Sequence, residues 1–263
     1  MQHFTEKALK DITTSHAEIR FKYINLTQKI GVFSGNLRNE RAKEFMQNGV
    51  NRRLLIVYRC VEKIFDLFPP DRIELLEEND RLDAEINLHA FLINIYGIIE
   101  NLGLAVAYEN DLVSEESEHK LKAKSVNLFD RKFRRLLNPH LRLYLSEDTI
   151  AKWYMEYAKN YRDALAHRIP PYVPPAALND EQQLRFEYLD QEINRQYPGG
   201  NFERITMLRD EQERLGRANP LFVHSFSEKA IPLYLHPQLI ADFMTIEELV
   251  NIAIANFYCE SEI

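Results

Sequence analysis

Arg162, Asp163 and His167 close the segment 146–168, "SEDTIAKWYMEYAKNYRDALAHR", just ahead of four prolines in six residues, "PPYVPP". A histidine at such a point can exchange protons near neutral pH, which is the work of a general acid or base. Asp163 and His167 are i,i+4 neighbours on a helix and can touch. A carboxylate there and the helix C-terminus both favour a charged imidazole. Arg162 and His167 are five residues apart, so at roughly 100° per residue they point about 140° apart on an ideal helix. They converge only if the helix frays at His167 or if two copies of the helix meet across a symmetric interface. The alternative is a plain helix terminus, where the dipole alone favours cationic residues.

The arginine, a polar residue, and then the histidine running into "HRIPPY" resemble the signature of the HEPN superfamily, whose motif is Arg, four to six residues, His. The resemblance also takes in the stretch "YGIIENLG", residues 96–103, where relatives often carry an acidic or amide residue near the site. The resemblance implies a helical, usually dimeric domain and a metal-independent endoribonuclease of a toxin, defence or RNA-processing system. By that resemblance His167 handles protons, Arg162 binds the phosphate, and Asp163 and Glu100 orient them. Asn101 and Asn160 are further polar candidates beside them. No cofactor is expected. RNA, a second copy of the chain and an antitoxin or other regulatory protein are the expected partners. A catalytically inactive HEPN-like helical module that binds RNA, a nucleotide or a protein is the other reading. Some relatives have a tyrosine two residues after the histidine; here Ile169 stands there, so regulation by nucleotidylation of that tyrosine is not expected.

The same spacing recurs at Arg135–His140 and, more loosely, at Arg134–His140 and Arg217–His224. Pro139 interrupts the first of these, so no regular helix carries it. Arg162 and His167 differ in context: a long helix before them, opened by a capping signature at Ser146, and a proline stop after them.

Glu100 falls on the helix wheel beside Tyr96, Gly103 and other apolar positions. A buried carboxylate is costly unless paired, so Glu100 reads as a site member, a buried structural ion pair or a rim residue. Asn87, Asn94 and Asn101 recur every seven residues with Ala90 and Gly97 between them, a small polar stripe that suits a core or dimer seam. Between 119 and 142 stand Lys120, Lys122, Lys124, Arg131, Lys132, Arg134, Arg135 and Arg142, with Phe129 and Phe133 interleaved. Lys132, Arg134 and Arg135 are the candidates for RNA phosphates, with the aromatic rings stacking on bases. The alternative is a solvated surface whose phenylalanines face the core. Trp153, Tyr154, Tyr157 and Tyr161 have the spacing of a packing stripe.

The surrounding elements read as helices. Only 8 glycines stand among 263 residues, and apolar residues recur with helical spacing, so a mostly all-α fold is expected; that the bundle is HEPN-like is what the resemblance implies. The first helix covers 5–30 and is broken by "GVFSGN". A second runs from 38 to 67 and ends at Pro69 and Pro70, and a third spans 81–109. Residues 110–127 read as a loop or a short surface helix. The motif helix follows, then a charged helical hairpin over 179–217 interrupted at "PGG". Two short strands pair within "LFVHSF" and "IPLYLH", and the last helix covers 237–258. The expected organisation is a helical core of 1–169 plus 236–263, with 170–235 as an elaboration.

A net charge of −7 argues against indiscriminate nucleic-acid coating while leaving room for a local basic groove. Residues 91–108 are nearly long enough to cross a bilayer, but Glu100 sits inside them, and a carboxylate there is costly. A core helix is expected, not a membrane span. Cys60 and Cys259 lack metal spacing, and the polar N-terminus lacks a signal core, which together suit the cytoplasm. No glycine-rich phosphate loop and no serine nucleophile elbow are present. His236 and Asp242, six apart, make a poor metal pair on a helix.

Overall fold

A computed structural model describes residues 3–114, 116–117, 119–225 and 231–259. The fold is mostly all-α: among the described residues the only strands are β1 (Leu221–Phe222) and β2 (Leu233–Tyr234), paired antiparallel with Leu221 opposite Tyr234.

Helix α1 (Glu6–Gly35) starts where the Thr5 side chain accepts a hydrogen bond from the Ala8 amide. It runs straight through "GVFSG" instead of stopping at residue 30. Gly31 and Gly35 lie on its open outer side, with nothing within 4 Å of where a Cβ would be, while Ile30 and Ser34 continue the buried face. The second helical rod is built of α2 (Glu40–Glu44), a π-helical turn (Phe45–Asn51) and α3 (Arg52–Leu67). The carboxylate of Glu109 accepts hydrogen bonds from the Arg38 and Asn39 amides, satisfying free donors at the start of this rod. Pro69 and Pro70 follow its end, as the sequence requires.

Helix α4 (Glu78–Glu109) is the spine. It is long and apolar enough to cross a membrane, and 72% of its most apolar stretch is buried inside the fold. Helix α3 lies along it, and α1 and α11 (Leu235–Ala255) complete the principal core with residues such as Ile19, Val57, Phe91, Ile98, Phe243 and Leu249. Among the described residues that follow α4, Val113 bridges to Leu121 and Ala123–Ser125 forms a short 3-10 turn. Short helices α5 (Arg131–Arg134) and α6 (Pro139–Tyr144) lead to the motif rod. That rod is α7 (Asp148–Lys152), a second π-helical turn (Trp153–Ala158) and α8 (Lys159–His167). The cap residue is Glu147, not Ser146, whose hydroxyl donates instead to the Arg142 carbonyl at 2.7 Å.

Helices α9 (Asp180–Gln196) and α10 (Phe202–Glu213) make the charged hairpin. Asn179 and Gln182 form a reciprocal capping box at its start, and Gly200 turns the chain at φ 66°. Leu189, Ile193, Ile205 and Leu208 give the hairpin a small core of its own.

Candidate functional site

The motif rod is held from behind by tyrosines and a buried acid. Trp153, Tyr154, Tyr157 and Tyr161 face inward. The Trp153 indole N–H donates to Asp242 at 2.8 Å and the Tyr157 hydroxyl donates to the same carboxylate at 2.5 Å. These bonds tie the rod to α11. On the other side Tyr154 donates to the Tyr96 hydroxyl of α4 at 3.2 Å, and Asn127 donates to Tyr154 at 2.9 Å.

Tyr96 is the platform for Arg162. The guanidinium carbon lies 4.1 Å from the centroid of the Tyr96 ring, a close cation–π contact. Nη1 of Arg162 is 3.1 Å from Oδ1 of Asp163. Burial works against the charge, but Tyr96, Asp163 and Glu100 more than offset it and raise the guanidinium pKa. Nε of Arg162 is buried and has no hydrogen-bond partner among the described residues. Arg162 is therefore a fixed cation whose fork still has a donor to satisfy.

His167 is the last residue of α8 and is exposed; among the described residues it makes no hydrogen bond or ion pair. The chain around it is fixed all the same. Arg168 turns back to donate to the Asn160 carbonyl at 2.9 Å and to its side-chain oxygen. The proline segment is pinned to α4: a ring nitrogen of His89 meets the Pro171 carbonyl, and Glu85 accepts the Val173 amide at 3.2 Å. The imidazole thus stands at a rigid corner with its ring open to whatever docks there.

Glu100 is exposed, which removes the buried ion pair among the alternatives and leaves a rim position. Its charge still acts on both Arg162 and Tyr154, so it lies at the rim of this group. Asn160 links Arg168 to His224, whose Nε2 lies 3.3 Å from the Asn160 side-chain nitrogen. His224 is buried and packs edge-on against Tyr161, 5.0 Å between ring centroids. Sequence reasoning noticed His224 only as part of a coincidental spacing; its distance from the motif in the chain hid the contact. Asn101 lies on a different face of α4. Its side chain donates to the Gly97 carbonyl at 2.7 Å and abuts Gly49.

The basic segment joins the site through aromatic packing. Phe129 stacks on Tyr154 with ring centroids 4.0 Å apart and an interplanar angle of 8°. Phe129, Tyr154 and Tyr96 therefore form one aromatic line that ends under Arg162. Of the two readings of this segment, the one with its phenylalanines turned to the core fits: Phe129 packs on Tyr154, and Phe133 is 1% exposed. Lys132 and Arg135 are exposed, whereas Arg134 donates to the Leu145 carbonyl at 2.8 Å and to Ser146, bracing the turn before the motif rod. Among the described residues no group of three or more His, Cys, Asp or Glu is gathered as metal ligands would be. No family model, curated protein or solved structure matches this chain.

Proposed function

We propose that this chain is a metal-independent endoribonuclease of HEPN type, active as a homodimer. One observation carries the reading. Arg162 is locked on Tyr96 with a buried, unsatisfied Nε, and His167 stands open at the end of the same helix. The two point different ways on one protomer, so a complete site takes the arginine of one copy and the histidine of the other across a two-fold axis. The ribose 2′-oxygen attacks the adjacent phosphorus, and the P–O bond to the 5′-oxygen breaks. The 2′-hydroxyl proton is taken up and the leaving oxygen is protonated, with His167 serving these transfers. A 2′,3′-cyclic phosphate and a 5′-hydroxyl result. Arg162 neutralises charge growing on the phosphoryl oxygens, and Asp163 holds the guanidinium in place. Lys132 and Arg135 attract the RNA backbone, and RNA in a reducing cytoplasm is the expected setting.

The test is cleavage of a mixed RNA pool in chelator, with end-group analysis of the products. His167→Ala and Arg162→Ala are each expected to lower the rate about 10²-fold or more. No cleavage by the wild type, or cleavage undiminished in His167→Ala, removes the proposal.

The divergence of Arg162 and His167 within one protomer favours a second reading, an inactive HEPN-like module that binds RNA. That reading holds if the wild type binds RNA without cutting it and Lys132→Ala with Arg135→Ala abolishes binding.

A further inference from the structure

The asparagine stripe of α4 does not face Arg162. Asn94, Gly97 and Asn101 centre on a direction roughly 120° around the helix from Tyr96 and Glu100, at about 100° per residue. Asn94 and Asn101 form the floor of a separate cleft of about 550 Å³, walled by α2, the first π-helical turn and the start of α3, and Gly97 lies beneath its Arg53. Its charged residues are Arg41, Arg52, Arg53 and Glu44, three guanidiniums against one carboxylate. Phe45 and Ile56 add an apolar wall.

This cleft is built, not incidental. Gly97 lets the Arg53 guanidinium lie directly on the α4 backbone: a Cβ at 97 would stand 2.5 Å from its central carbon. The Asn94 side-chain oxygen then accepts from Arg53 Nη1 at 3.0 Å and fixes the fork. Gly49 plays the same part for Asn101, where a Cβ would stand 2.8 Å from the side-chain carbon. Asn94 and Asn101 each spend an amide N–H on their own helix, to the carbonyls of Ala90 and Gly97. The Arg52 side chain is exposed at the mouth and makes no hydrogen bond or ion pair among the described residues, while its backbone N–H donates to the Gly49 carbonyl. Arg41 pairs with Glu44 at 2.8 Å and its guanidinium also covers the Phe45 ring at 5.6 Å. π-Helical turns recur at functional sites because the wider turn displaces side chains from the regular helical register; this one carries Phe45, Asn48 and Gly49 into the cleft.

We propose that this cleft binds a small phosphate monoester or diphosphate, held by Arg52 and Arg53, with Arg41 released from Glu44 as a third contact. Planar guanidiniums match phosphate oxygens in pairs, and a fork fixed in advance loses little freedom on binding. The site owes nothing to Arg162 or His167, so it stands or falls apart from the ribonuclease reading.

The experiment is calorimetric titration of the full chain with AMP, ADP, pyrophosphate and inorganic phosphate at low and high salt. Saturable binding that weakens with salt is expected, and Arg52→Ala and Arg53→Ala should each lower affinity about tenfold or more. Gly97→Ala should do the same by evicting Arg53. Arg59→Ala, an exposed charge outside the cleft, should leave affinity unchanged. Binding of pyrophosphate as strongly as ADP assigns recognition to the phosphate; tighter binding of ADP adds the base against Phe45 and Ile56. Either result supports the site. If Arg53→Ala does not fold, Arg52→Ala decides, because its side chain is exposed. The proposal is overturned if none of the four anions binds, or if binding persists unchanged in Arg52→Ala.

Discussion

Replacing Asp242 with asparagine should change how stability responds to pH, and the size of the change follows from its surroundings. Asp242 is fully buried. Its Oδ1 accepts from Trp153 Nε1 and Gln238 Nε2, both at 2.8 Å, and its Oδ2 accepts from the Tyr157 hydroxyl. Burial pushes the carboxyl up from 3.8 to about 7, against the downward pull of the three donors. The native state therefore holds this proton more tightly than the unfolded chain does. The associated stabilisation is complete below about pH 4 and is lost as pH rises through about 7. At about 1.36 kcal/mol per pH unit the loss is about 4 kcal/mol. Asparagine stays neutral throughout. Its oxygen can take both N–H groups, and its amide can donate to the phenol oxygen of Tyr157 once that hydroxyl rotates.

The wild-type curve alone is a poor readout, because a second buried group opposes Asp242. Burial lowers the His236 imidazole from 6.5 to about 4, so its contribution is present above about pH 6.5 and lost as pH falls through about 4. Both proteins carry His236, and it cancels in the difference. Urea unfolding of wild type and Asp242→Asn at several pH values from about 4.5 to 8 gives that difference directly. Counted from full protonation, the variant should lead the wild type by about 1 kcal/mol at about pH 4.5 and by about 4 kcal/mol at the alkaline end. A difference that is flat with pH would refute the account of Asp242 as a carboxyl kept neutral by burial.

Two glycines should respond in opposite directions to alanine. Gly31→Ala, in open space on α1, should stabilise by about 0.5–1 kcal/mol, read as a rise in Tm. Gly216→Ala should destabilise by about 1–3 kcal/mol, because Gly216 has φ 98° and a Cβ there would meet the Ala177 carbonyl oxygen at 2.9 Å. Exchanging residues 180–214 for a short glycine–serine linker should leave Tm within a few degrees. The hairpin has its own small core, and the paired backbones of Ala177 and Arg217 close its base. Loss of cooperative unfolding on that exchange would show that the hairpin supports the main core.

What the sequence made legible was punctuation and period. The prolines after residue 68, those after residue 169 and "PGG" all mark ends that the fold respects, since a missing donor acts locally. Gly31 misled for the converse reason: a helix glycine costs about 1 kcal/mol, and burial of Ile30 with the packing of Phe33 on Phe257 outweighs it. Whether Glu100 lay inside or at the rim stayed open because α4 is buried around most of its circumference there. When Ile98, Ile99, Leu102 and Gly103 are all inside, a helical wheel does not say which side meets solvent. The arginine cleft was invisible for a different reason. Arg41 and Arg53 lie on two elements and Asn94 and Asn101 on a third, and the notches at Gly49 and Gly97 bring them together.

Helix α4 explains why a histidine can sit at a helix end and still be well placed. A terminal side chain normally inherits the looseness of the last turn. Here the segment after His167 is tied to α4 at His89 and Glu85, while the partner arginine rests on Tyr96 two turns further along the same helix. One long buried rod therefore sets both positions, although the two side chains diverge. The same rod carries Gly97 and Asn101 on another face, so the cleft arginines take their reference from it as well. The final turn of α8 is thus fixed by an element whose central, most apolar stretch is largely interior. The His167 imidazole at the corner and the Arg52 side chain at the cleft mouth both stand exposed, and the proposed RNA and phosphate ligands meet the chain there.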